Sequence, residues 1–134
     1  MILAMALMAV GCGERKKAEA APGPEETVIE FFRAVAGGDA EAAMALCDTV
    51  TMNTYIDSYV SALDSMARKD SCATAIATKT LTDAEIKIES NVKEGDRRQI
   101  TYTVETMDGF TKKKRATVKK DGGVWKVERI TDSL

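Results

Sequence analysis

Few side chains in this sequence could do chemistry. In 134 residues there is no His, and there are three Cys, three Tyr and one Trp, so the commonest general base and the commonest metal ligand are both missing. No glycine-rich phosphate loop and no Cys or His cluster can be read from it. Asp57 and Asp64 are seven residues apart, two helical turns, and so share one helix face. Acid–base work would need one of them out of water. The apolar stripe Tyr55, Tyr59, Leu63 lies roughly 100–200° around the helix from them, which sends both acids to solvent. No catalytic residue, cofactor or metal is assigned. Cys47 and Cys72 read either as a disulfide or as two buried thiols behaving as small apolar residues. A disulfide here would close a 25-residue loop, and the chain-entropy model gives it roughly 3.5 kcal/mol.

The densest basic run is Lys112-Lys113-Lys114-Arg115, with Lys119 and Lys120 behind it. Residues 84–134 hold twelve Lys+Arg against nine Asp+Glu, whereas 1–83 hold seven against twelve, so the charge is polarised along the chain. On a strand, Lys112 and Lys114 would point to one face and Lys113 and Arg115 to the other. That suits an exposed or edge strand whose lysines discourage further pairing. The alternative is a contact for anionic lipid headgroups or an acidic partner. A net charge of −2 gives no bulk attraction to nucleic acid. Tyr55, Tyr59, Tyr102 and Trp125 are candidates either for the core or for the wall of a cavity.

Residues 1–11, MILAMALMAVG, are uncharged and almost wholly apolar, and Cys12 follows directly. The run is too short to span a bilayer, which takes about 20 apolar residues, but it suits the apolar region of a secretory signal. Ala9-Val10-Gly11-Cys12 resembles the lipobox of bacterial lipoproteins, in which cleavage leaves the Cys as a lipidated N-terminus. Signals usually open on Lys or Arg and this chain opens on Met1-Ile2, as a signal truncated at its start would. The resemblance implies a signal over 1–11, a lipidated Cys12 with a flexible tether over 12–23, and one domain over 24–134. Acyl chains contribute about 0.8 kcal/mol per buried methylene, so such an anchor needs no membrane-spanning helix. The expected location is the bacterial cell envelope, on a membrane.

Positioning falls to the elements after Pro24. Val28, Phe31, Phe32 and Val35 recur at i, i+3, i+4, i+7 and predict an amphipathic helix stopped by Gly37-Gly38. Asp39 caps a shorter helix with Ala43, Leu46, Cys47 and Val50 inward. Met52, Tyr55, Ile56, Tyr59, Val60 and Leu63 form the stripe of a third, longest helix from Thr51 to about Ala67. The segment around Cys72 and Ile76 reads as a short helix or an irregular crossing, and helix is preferred. From Asp83 the period falls to two. Strands are predicted with Ala84, Ile86 and Ile88, then Ile100, Tyr102 and Val104, then over Phe110–Lys119 and Val124–Thr131, with turns at 93–96, 107–109 and 121–123. Ile130 is out of phase with Trp125 and Val127, which predicts either a bulge near Glu128-Arg129 or a frayed end.

Helices followed by four antiparallel strands make an α+β domain, its helices packed on one face of the sheet. The helix order, the Gly38-Asp39 turn before Ala43 and the closing Asp121-Gly122-Gly123-Val124-Trp125-Lys126-Val127 resemble small secreted or lipid-anchored proteins of the nuclear-transport-factor-2-like superfamily. That resemblance implies a curved sheet wrapped around helices with a conical pocket. A fold does not by itself imply a function, and the leading expectation is a lipid-anchored, non-enzymatic protein that binds a small apolar ligand or an envelope protein partner. The alternative is an isomerase- or cyclase-type enzyme acting on an apolar substrate, which needs a carboxylate buried in the cone. An open, Tyr-rimmed cavity would favour a ligand, and a cavity plugged by Trp125 and Met side chains would favour a protein partner.

Overall fold

A computed structural model describes residues 22–132. The proposed signal, Cys12 and nearly all of the tether lie outside the described residues. Four helices come first, α1 (Pro24–Ala36), α2 (Ala40–Ala45), α3 (Thr49–Lys69) and α4 (Ser71–Thr82). Four strands follow, β1 (Glu85–Glu94), β2 (Arg97–Glu105), β3 (Thr111–Asp121) and β4 (Val124–Asp132). They pair in chain order as one antiparallel sheet. The α+β architecture predicted from periodicity is therefore the observed one.

Local chemistry sets the helix boundaries. Pro24 occupies the first turn of α1, and the Glu26 carboxylate accepts a hydrogen bond from the Gly23 N–H at 2.9 Å, so an otherwise orphan donor is satisfied. Asp39, Asp48 and Asp70 each accept from the backbone N–H of a residue in the first turn that follows, at 2.9–3.1 Å. Between α1 and α2, Gly38 takes φ +76°, a left-handed conformation that glycine enters without strain. The Arg33 guanidinium donates to the Thr82 carbonyl at 2.6 Å and ties α1 to the free end of α4.

α1 crosses the sheet and touches all four strands, with α3 beside it against β4. Val28, Phe31 and Val35 from α1 and Met52 and Ile56 from α3 close over Ile100, Tyr102, Val104, Ala116, Val118 and Val127. These strand residues alternate as a period of two requires.

The short second helix ends earlier than its pattern predicts. Leu46–Asp48 leaves the helix and lies along β4, where the Val127 N–H donates to the Leu46 carbonyl at 2.9 Å and the Asp48 N–H to the Val127 carbonyl at 2.8 Å. This segment covers part of an otherwise open sheet edge. Val50, expected inward, is consequently 89% exposed on the first turn of α3. The Cys47–Cys72 disulfide is corrected as well, because both are free thiols, Cys47 buried beneath β4 and Cys72 exposed at the start of α4.

The bulge predicted near Glu128 is present. Thr117 pairs with Arg129 and Val118 with Val127, so Glu128 is the extra residue. A second bulge, at Glu89, interrupts the β1–β2 pairing and has no sequence signal. Bulges bend strands and re-aim side chains. Glu128 is turned onto Arg97, with bonds of 2.6 and 3.0 Å to the guanidinium, and Glu89 onto Lys113 at 3.0 Å.

Candidate functional site

Between α1, α3, the end of α4 and the middle of the sheet lies a cavity of about 530 Å³, within the range of small-molecule sites. Phe31, Phe32, Val35 and Ala36 form its α1 wall, Tyr55 and Tyr59 its α3 wall, and Leu81 closes one side. Exposed Thr54, Ser58 and Ala62 make the rim. The rings of Phe31 and Tyr55 sit 6.2 Å apart and tilted, a favourable aromatic arrangement. Tyr102 and Lys114 supply the floor.

The floor is set by strand register. Tyr102 on β2 lies directly opposite Lys114 on β3, which lies opposite Asp132 on β4. A row of phenol, ammonium and carboxylate therefore crosses three strands on the face that carries the core. Lys114 donates to Asp132 at 2.9 Å, and Lys112, two residues along on the same face, reaches the other carboxylate oxygen at 3.4 Å.

The hydrogen bond from Lys114, reinforced by attraction to both lysines, holds the Asp132 carboxyl below the ordinary carboxylate range. Burial pushes the Tyr102 hydroxyl up, and Tyr55 and Asp132 add to this. Tyr55 and Tyr59 are raised as well, chiefly by burial. Among the described residues the cavity thus offers three phenols, the Lys114 side chain and no carboxylate of its own.

Of the four aromatic candidates the structure brings Tyr55, Tyr59 and Tyr102 together. Trp125 is not with them. It pairs with Lys120, whose ammonium lies 5.7 Å from the ring centroid, six residues along β3 from Lys114 and so about 20 Å away. Asp57 and Asp64 are exposed on α3, as their phase predicts, and Asp64 meets Arg68 at 3.6 Å in solvent.

The edge reading of the basic run is corrected, since β3 is an interior strand, whereas Lys112, Lys113 and Arg115 are exposed on it as expected. Lys112 and Lys114 do share one face, and Lys113 lies on the other with Glu89. Among these four, Arg115 alone has no ion pair among the described residues. Residues missed from the sequence are Asp132, Leu81 and the cavity role of Lys114. The last had a signal, because a hairpin centred on Asp108 places residue 102 opposite residue 114.

The family described as Domain of unknown function (DUF4878) matches residues 10–128. The chain belongs to that family. No curated protein matches it. Among solved structures, the DUF4878 chain is similar to a Campylobacter jejuni protein provisionally named an NTF2-like transpeptidase, at 16% identity and TM-score 0.56, covering 79% of this chain and 97% of that one. A SEC-C motif containing protein from Rhodopseudomonas palustris is 13% identical with TM-score 0.51, covering 86% and 82%. An NTF-2 like protein of unknown function from Silicibacter pomeroyi is 15% identical with TM-score 0.48, covering 80% and 92%. At such identities the likeness shows the fold alone. This DUF4878 domain has an NTF2-like α+β fold, and its function must be argued from its site.

Proposed function

We propose that this protein is a binding domain that takes a small, largely apolar ligand between α1, α3 and the sheet, and that Cys12 anchors it by lipid to a bacterial envelope membrane. The observation carrying the ligand reading is the cavity itself, open at a rim of small residues and lined by aromatic and aliphatic side chains, with neither Trp125 nor any Met among the described residues that line it. A filled interior would have favoured a protein partner. For the anchor the support is the apolar run ending at Cys12.

The isomerase-type alternative requires a buried carboxylate that holds its proton more tightly than usual. Asp132, the carboxylate bonded to the cavity's Lys114, is shifted the opposite way and is exposed. A binding role fits this chemistry better.

Native extraction followed by mass spectrometry of co-purifying small molecules tests the ligand reading. A reproducible apolar species, lost when Ala36→Trp fills the cavity, is expected. Repeated recovery of an empty protein that also binds no apolar probe would overturn the reading. For the anchor, labelled fatty acid should enter the full chain and be absent from Cys12→Ser, and label persisting in that variant would refute it.

A further inference from the structure

Lys114 is the one charged side chain among the described residues that line the cavity. Its side chain is only 23% exposed, and an ammonium placed against apolar walls is costly unless an anion meets it. Asp132 meets part of that need, but Lys112 shares the same carboxylate, through its other oxygen. Among the described residues, two ammonium groups thus share one carboxylate, which leaves one positive charge in excess beside the floor. The Tyr102 side chain beside it is 2% exposed. Among the described residues its hydroxyl has no hydrogen-bond partner, although buried hydroxyls nearly always have one. Cross-strand neighbours have Cα atoms about 4.5–5.5 Å apart, so both groups address the same part of the cavity.

We propose that the occupant is an amphipathic monocarboxylate, its carboxylate held by the Lys114 ammonium and the Tyr102 hydroxyl and its apolar body lying on Phe31, Phe32, Val35 and Leu81. This rests on the ligand-binding reading above and deepens it. The charge count selects a monoanion, because a phosphate monoester would bring nearly two negative charges to a floor with one to spare. Head and body are separated as the site separates them, with ammonium and phenol on the sheet and phenylalanines on α1. A cationic amphiphile would face Lys114 directly and be repelled.

Isothermal titration of the full chain with decanoate, decanol and decylamine at about pH 7 tests this. Decanoate is expected to bind about tenfold or more tightly than decanol, the scale of a charge-assisted hydrogen bond, and decylamine most weakly. Lys114→Met should bring decanoate down to the affinity of decanol and leave decanol unchanged, which also reports an intact cavity. Lys114→Arg should keep most of the preference. Equal binding of decanoate and decanol by the unaltered chain would overturn the head-group assignment while the ligand-binding reading stood. A preference surviving Lys114→Met would overturn the role of Lys114. No binding of any of the three would bring down both.

Discussion

Replacing Tyr102 by Phe separates what its ring does from what its hydroxyl does. The residue is 2% exposed, packed in the core cluster, and on the floor of the cavity. A buried hydroxyl left without a partner costs about 1–3 kcal/mol, and its removal with the ring kept leaves packing unchanged. The cavity reaches solvent at its rim, which offsets part of that cost. We therefore expect Tyr102→Phe to stabilise the fold by about 1 kcal/mol, or roughly 4 °C in Tm for a domain of this size. Tyr102→Ala, which loses the ring, should destabilise by about 3–5 kcal/mol, as large-to-small aromatic changes do. Urea unfolding followed by circular dichroism gives both values. The same Phe variant should bind decanoate several-fold more weakly, so stability and binding move in opposite directions. A Phe variant less stable than the original by more than about 1 kcal/mol would refute the reasoning, because it would show that the hydroxyl is satisfied in the unliganded fold.

Four further outcomes follow from other parts of the molecule. In a Cys12→Ser chain without reductant, one thiol (Cys72) should react with a thiol reagent at once and Cys47 only on unfolding; two thiols silent until reduction would restore the disulfide. Burial pushes the Cys47 thiol up from 9.0 to about 11, so the stability it confers is whole below about pH 9 and is lost as pH rises toward 11, which urea midpoints measured in that window would show. Gly38→Ala should cost about 1 kcal/mol, since φ is +76° and a Cβ would stand 3.4 Å from Leu63 Cδ1, whereas Gly38→Asn should cost less; equal melting temperatures for Gly, Asn and Ala would contradict this. The carboxyls of Asp48, Glu128 and Asp132 are all held low by partner lysines or arginine. Their contribution is complete above their ordinary values of 3.8 to 4.5 and is lost as pH falls through the lower folded values. Unfolding midpoints unchanged between about pH 5 and pH 2 would refute that linkage.

The fold was legible wherever one physical signal acted alone. α1 and α3 follow from 3.6-residue stripes, the four strands from alternation, and the Glu128 bulge from Ile130 falling out of phase. Each is a property of residues near in sequence whose burial is decided by one face. The misreadings fall where tertiary pairing competes with local pattern. Ala43, Leu46, Cys47 and Val50 have ideal helical spacing, yet the open edge of β4 claims the backbone of Leu46–Asp48. Nothing local announces that edge, because it is created about eighty residues later in the chain. The inward placement of Cys72 failed for a related reason. α4 is rich in Ala and Thr and has no strong stripe, and its one buried residue is Thr74.

The site was legible in its materials but not in its assembly. Tyr55 and Tyr59 lie together on the cavity wall because a helical stripe fixes both direction and neighbours. Trp125 lies apart from them because alternation fixes only the face of a strand and leaves position along it open. It shares the face of Val127 and Tyr102 but stands at the far end of the sheet. Lys114 shows the converse. Its charge and its place in a basic run argue for solvent, and period two merely puts it on the same face as Lys112. Register decides the matter, since the turn about Asp108 sets Lys114 against Tyr102, and the pairing of β4 then sets Asp132 against Lys114. One residue more in that turn would shift the partner of Tyr102 and turn the other set of side chains toward the core. A residue inserted at Met107 is therefore expected to abolish selective binding of decanoate while secondary-structure content by circular dichroism persists. Selectivity that survived such an insertion would mean that register does not build this floor.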